Sequence, residues 1–124
     1  MDEWYKNLKK SSLTPPAYVF GPVWTILYTL ITISFIIYLN SNYTTNGLIL
    51  FGSQILINLL WPQLFFGKRL ICGSLLNVIV MNILVFFTYT EFKKSSVIAA
   101  NLLLPYLAWI MLAAYLNLYI CLNN

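Results

Sequence analysis

Thr14-Pro15-Pro16-Ala17-Tyr18-Val19-Phe20-Gly21-Pro22-Val23-Trp24-Thr25-Ile26-Leu27-Tyr28 opens an apolar stretch that runs without a charge to the polar turn Asn40-Ser41-Asn42-Tyr43-Thr44-Thr45-Asn46-Gly47. A helix needs about 20 mostly apolar residues to cross a hydrocarbon core roughly 30 Å thick, and this stretch supplies them from Ala17 onward. Pro15 and Pro16 force an extended approach in front of it. Phe20, Trp24 and Tyr28 recur at i, i+4 and i+8, which places three rings on one stripe of a helix. The stretch therefore reads as a membrane-spanning helix over about 17–39 with an aromatic face. Residues 1–16 read as a lid-like segment leading into it.

The rest of the chain repeats the pattern. Hydrophobic residues make up 60% and charged residues 8%. No Asp, Glu, Lys or Arg lies between Lys10 and Lys68, between Arg69 and Glu91, or after Lys94. A charge at mid-bilayer costs several kcal/mol, so these intervals suit lipid. Further spans are predicted at about 47–66, ending at Gly67-Lys68-Arg69, at about 71–90, ending at Glu91-Phe92-Lys93-Lys94, and at about 96–121. No barrel-type alternation is present, which leaves helices as the spanning structure. A soluble domain is set aside, because so short a chain could not bury such long uncharged intervals inside itself. Short connections make neighbouring helices antiparallel. The expected fold is an all-α membrane protein, a four-transmembrane-helix bundle forming one integral membrane domain over 1–124.

Lys6, Lys9, Lys10, Lys68 and Arg69 fall on one side of this arrangement, and only Lys93 and Lys94 on the other. The positive-inside rule then puts both termini in the cytosol. The net charge of +4 is spent in loops, where it sets topology and meets lipid headgroups, so no nucleic-acid partner is expected. No cleavable signal peptide is visible: the first apolar run begins late and is long enough to span. Asn42-Tyr43-Thr44 is a glycosylation sequon, but it hugs the membrane. Cys72 and Cys121, far apart in the chain and without metal-ligand spacing, read as free thiols.

Catalytic groups are scarce. The carboxylates are Asp2, Glu3 and Glu91, all in aqueous segments, and there is no histidine. Proton-coupled export needs an ionisable group within the membrane, while metal centres and histidine-assisted nucleophiles need the missing imidazole. No metal and no cofactor is expected. What the membrane interior does hold is rings, amides and prolines. Gln54, Asn58 and Trp61 share one face of the second span, and Trp109, Ala113 and Leu116/Asn117 share one face of the fourth. Amides in hydrocarbon must find partners, so Gln54, Asn58, Asn77, Asn82, Asn101 and Asn117 should face the interior, where each could serve simply as glue between helices. Pro62 and Pro105 should kink their helices. Three faces offering rings, amides and a small Ala113 suggest an apolar cavity with a few polar handles.

Three blocks carry a family resemblance. Trp4-Tyr5…Thr14-Pro15-Pro16…Val19-Phe20-Gly21-Pro22-Val23-Trp24-Thr25…Leu27-Tyr28 is the first, Gln54-Ile55-Leu56-Ile57-Asn58-Leu59-Leu60-Trp61-Pro62-Gln63 the second, and Leu104-Pro105-Tyr106-Leu107-Ala108-Trp109…Ala113…Leu116-Asn117 the third. Together they resemble the translocator protein / tryptophan-rich sensory protein family. The resemblance implies a helix-bundle pocket for tetrapyrroles such as protoporphyrin or haem, or for sterol-like ligands. It implicates Trp4 in the lid, Tyr18, Trp24 and Tyr28 on the first helix, Asn58 and Trp61 on the second, and Trp109, Ala113 and Leu116 on the last. It also implies an enzymatic alternative, light-dependent breakdown of protoporphyrin by the pair Trp24 and Trp109, and a third reading as a regulatory membrane protein without a closed pocket. The family's first helix, which precedes the Trp-Tyr segment, has no counterpart ahead of Trp4, so a second copy in a homodimer or membrane lipid is expected to cover that wall. Asn77 stands where the family usually carries an aspartate. No basic residue follows Tyr115 or Tyr119, so the family's C-terminal cholesterol pattern is incomplete.

Overall fold

A computed structural model describes residues 17–68 and 70–123. The first helix, α1, covers Ala17–Leu39, and α2 covers Thr45–Pro62. Thr44 caps α2, its hydroxyl accepting from Gly47 N at 3.0 Å, which satisfies one of the amide donors every helix start leaves open. Gly47 is required there by a close approach. A Cβ at this position would lie 2.7 Å from Tyr38 Cζ, and Tyr38 is held by stacking on Phe92 at 3.8 Å between ring centroids.

Pro62 ends the regular part of α2. It has no N–H for the carbonyl of Asn58, and the chain passes into a π-helical turn, Gln63–Gly67. There Lys68 N reaches back five residues to Gln63 O at 2.9 Å. The third helix, α3, covers Ile71–Ser95. It runs past the predicted limit near residue 90 because charges end an apolar span without ending a hydrogen-bonded helix. Lys93 and Lys94 fall in its last turn, where cations complement the helix dipole. Glu91 is buried there, accepting from Thr44 Oγ1 at 2.8 Å and pairing with Lys94 at 3.3 Å.

The fourth span is two helices rather than one, α4 at Val97–Leu102 and α5 at Leu104–Asn123. Pro105 offers no N–H to Asn101 O, and at the break the Leu103 N–H turns to Ala100 O and Asn101 O instead.

Helix α3 is the hub, packed against α2, α4 and α5, while α1 lies chiefly along α4. The fully buried Ala99 and Ala100 let α1 come close enough for Ser34 Oγ to donate to Ala99 O at 2.6 Å, the small-residue contact typical of membrane helices. Phe35 stacks on Phe51 at 4.1 Å, tying α1 to α2. The outer surface is apolar: Leu56 is 70% exposed and Ile98 66%. Four helical segments, Val19–Leu39, Thr45–Phe65, Ile71–Ser95 and Val97–Asn123, are long and apolar enough to cross a membrane. Apolar side chains outside and amides inside suit a protein whose surrounding solvent is lipid. The protein is an all-α bundle of four spanning segments.

Two expectations need correction. Cys72 and Cys121 are joined in a disulfide, their Cα atoms 5.2 Å apart, within the usual range for such a bond. Because α3 and α5 run antiparallel, the start of one lies beside the end of the other, and a sequence separation of 49 residues closes in space. Asn101 faces outward instead of inward. It lies about 6 Å along the axis from the start of α4, at roughly 1.5 Å per residue, so headgroup water is within reach and no partner inside the bundle is needed.

Candidate functional site

A cavity of about 330 Å³ opens between α1, α2, α3 and α5. It sits in the half of the bundle built from the start of α1, the end of α2, the start of α3 and the end of α5. The helical repeat delivers its first wall, since Phe20, Trp24 and Tyr28 recur on one stripe of α1 and all line the cavity. Trp24 and Trp109 meet edge to face with ring centroids 6.3 Å apart and planes at 89°, the arrangement aromatic quadrupoles favour. Phe20 makes a similar contact with Trp109 at 5.9 Å.

The second wall is Asn58, Trp61 and Pro62 from α2. Trp61 is fixed from behind: its indole N–H donates to Asn117 Oδ1 at 3.0 Å, and the ring stacks on Phe65 at 4.9 Å. Asn117 is itself held, its amide donating to Ile71 O at 2.9 Å while its Oδ1 also accepts from Ser74 Oγ at 3.1 Å. Below the disulfide, then, α2, α3 and α5 are joined by one polar cluster that orients a cavity tryptophan. On α5, Trp109, Leu112, Ala113 and Leu116 line the space, and Ala113 is the small side chain among them. Val78 and Met81 of α3 form the floor.

Two lining residues are polar at the cavity, Tyr28 and Asn58. The Tyr28 hydroxyl donates to Asn58 Oδ1 at 2.5 Å, and Asn58 Nδ2 donates to Tyr106 Oη at 2.8 Å. Tyr106 Oη donates in turn to Gln54 Oε1 at 2.8 Å. Elsewhere the amides act as glue, Asn77 Nδ2 donating to Ile57 O at 3.1 Å and Asn82 Nδ2 to Ile110 O at 3.1 Å.

Of the residues singled out from sequence, Trp24, Tyr28, Asn58, Trp61, Trp109, Ala113 and Leu116 come together around this one space. Trp4 and the Tyr18 side chain lie outside the described residues. Val78, Met81 and Leu112 were not singled out, nor was Tyr106 behind the wall. The signal for the α3 pair was the spacing Ser74, Val78, Met81, Val85, Thr88, with polar residues at both ends of a buried stripe. For Tyr106 it was the three-residue step to Trp109.

Relatives of known name match along most of the chain. The family described as TspO/MBR matches residues 1–122. A tryptophan-rich protein TspO of Archaeoglobus fulgidus is 38% identical over 123 residues, covering 98% of this chain and 80% of the relative. The protein of the same name from Chlorobaculum tepidum is 35% identical over 118 residues, 92% of this chain and 75% of the relative. The human translocator protein is 32% identical over 126 aligned positions, 98% of this chain and 75% of the relative. Four apolar spanning segments, a ring-lined cavity and a match along nearly the whole sequence agree: this chain is an integral membrane protein of the TspO/MBR family.

Proposed function

We propose that the protein binds a flat, apolar ring ligand of the tetrapyrrole or sterol type in the cavity between α1, α2, α3 and α5, acting as a membrane receptor or carrier. The observation behind this reading is the convergence of Phe20, Trp24, Trp61 and Trp109 on one space whose polar lining is Tyr28 and Asn58. Ring faces supply stacking area at low entropic cost, and two placed polar groups fix orientation. At about 330 Å³ the space is at the lower end for small-molecule sites, roughly 300–1,000 Å³. Compact ring systems enter whole, and a tetrapyrrole enters edge first with its polar rim left outside. Trp4, in the lid, and Tyr18, on the first helix, join the proposal through the family resemblance.

Titrating protoporphyrin into the protein in lipid nanodiscs tests this. Saturable quenching of tryptophan fluorescence is the expected result, since Trp24, Trp61 and Trp109 line the site. Quenching no greater than in empty nanodiscs plus free tryptophan would sink the reading. Ala113→Phe, which fills the space, should weaken binding at least about tenfold, or 1.4 kcal/mol.

The perpendicular Trp24–Trp109 pair at 6.3 Å favours a second reading, light-dependent breakdown of bound protoporphyrin. Bleaching of porphyrin absorbance under illumination that Trp24→Phe and Trp109→Phe leave unchanged would remove it.

A further inference from the structure

Gln54 is 1% exposed, lies behind the cavity wall, and its amide Nε2 has no hydrogen-bond partner. The three bonds that end on it all point one way, from Tyr28 to Asn58, Asn58 to Tyr106 and Tyr106 to Gln54. In that sense the Tyr28 proton is turned inward, and its oxygen shows the cavity lone pairs only. Each member of the row is ambivalent, however. A tyrosine hydroxyl donates and accepts, and a primary amide exchanges donor for acceptor when its end turns by half a revolution. Turning both amides reverses the row: Gln54 Nε2 donates to Tyr106, Tyr106 to Asn58 Oδ1, Asn58 Nδ2 to Tyr28, and the Tyr28 proton is released into the cavity.

Both senses keep the same three bonds. They differ at the buried end, where one leaves an unpaired N–H and the other an unpaired carbonyl oxygen. A buried donor without a partner is penalised, and buried carbonyls lacking a partner are the more tolerated kind. That difference offsets the cost of turning the Tyr28 proton outward whenever a ligand accepts it. We infer that Gln54 is a specificity-determining residue of this site: through Tyr106 and Asn58 it lets Tyr28 offer the cavity either a donor or an acceptor. The site then takes flat apolar ring systems with one polar edge atom of either sense, a carbonyl or hydroxyl oxygen or a ring N–H. This rests on the ligand-binding reading above.

Three tricycles of nearly equal shape separate the two senses: fluorenone accepts, carbazole donates, fluorene does neither. Equilibrium dialysis against nanodiscs with and without the protein gives each affinity. Wild-type protein should hold fluorenone and carbazole several-fold more tightly than fluorene, by roughly the worth of one hydrogen bond. Gln54→Met keeps the volume and offers no strong partner, so the Tyr106 proton can go only to Asn58 and the row is locked outward. Fluorenone binding should persist while carbazole falls to the level of fluorene, shifting their ratio by that same several-fold factor. In a Tyr106→Phe background, which cuts the row, Gln54→Met should not move the ratio at all. A loosened cavity would lower all three affinities together, so the ratio separates proton direction from packing. An unchanged ratio in Gln54→Met, or no retention of any tricycle while protoporphyrin still quenches, overturns the inference and leaves the ligand-binding reading standing. Loss of the quenching itself would remove both.

Discussion

Gly47 and Asn77 show how single residues carry the arrangement. Tyr38 cannot yield freely to a side chain at position 47, because its ring is stacked on Phe92 and its hydroxyl accepts from Thr44 N at 3.0 Å. The same hydroxyl lies 3.3 Å from Thr44 Oγ1, which binds Glu91. A methyl group at position 47 therefore disturbs a ring stack, a helix cap and a buried carboxylate together. Gly47→Ala should cost about 1–3 kcal/mol, the usual range for overpacking, and a thermal melt in detergent reads it as a lower Tm. Ligand affinity should change little, since the site lies in the other half of the bundle. Asn77 argues from the opposite direction. It stands where the family resemblance expects an acid, and it donates to Ile57 O. A carboxylate there would face that carbonyl oxygen as a second acceptor, so the neutral amide fits this interior.

The two prolines divide the work at the level of elements. Pro62 is followed by the π-helical turn that precedes the loop into α3, and Pro105 stands in the first turn of α5, just past the break from α4. Pro105→Ala would restore an N–H for Asn101 O and let α4 and α5 join. Helix content should then rise slightly by circular dichroism. Protoporphyrin affinity should fall, because Tyr106 and Trp109 would rotate away from their partners on α1 and α2. Equal affinity in this variant would show that the break does not set the cavity. The four spans and the aromatic stripe of α1 were legible in the sequence because length, absence of charge and the 3.6-residue period are local properties. The amides were legible as a class, since hydrocarbon leaves them few alternatives. Val78 and Met81 were faint, because in a span apolar on all sides only Ser74 and Thr88, at the two ends of their stripe, set that face apart from the lipid-facing one. Tyr106 escaped notice for a different reason: its role depends on Gln54 and Asn58 of another helix.

At the scale of the molecule, the two ends of the bundle differ in kind. The end with the α1–α2 and α3–α4 turns is closed by Tyr38, Phe92, Thr44, Glu91 and the alanines of α4. The opposite half holds the cavity, the polar cluster on Asn117 and the Cys72–Cys121 bond. A cross-link between α3 and α5 limits how far the cavity walls can separate. Cys72→Ser should lower the Tm and weaken protoporphyrin binding modestly, by about threefold or less, as Trp61 loses part of its backing. A drop in Tm with unaltered affinity would assign the bond to stability alone. Its partner was not legible, because pairing depends on two thiols sharing a depth and a side of the bundle. The span boundaries near residues 71 and 121 on the same membrane face were the available hint.

That bond also makes the molecule a reporter of its own sidedness. The charge bias would place this end in the cytosol, where cellular reductants keep thiols reduced, while disulfides persist in oxidising compartments. The two arguments draw opposite topologies. Trapping free thiols at harvest with a maleimide, followed by non-reducing electrophoresis, reads which one the cell has chosen. An alkylated pair assigns the end holding Lys68 to the reducing side, and an intact bond assigns it to the oxidising side. A covalent link first noticed as a brace between two helices thereby records, as a mass difference, which way round the chain was inserted.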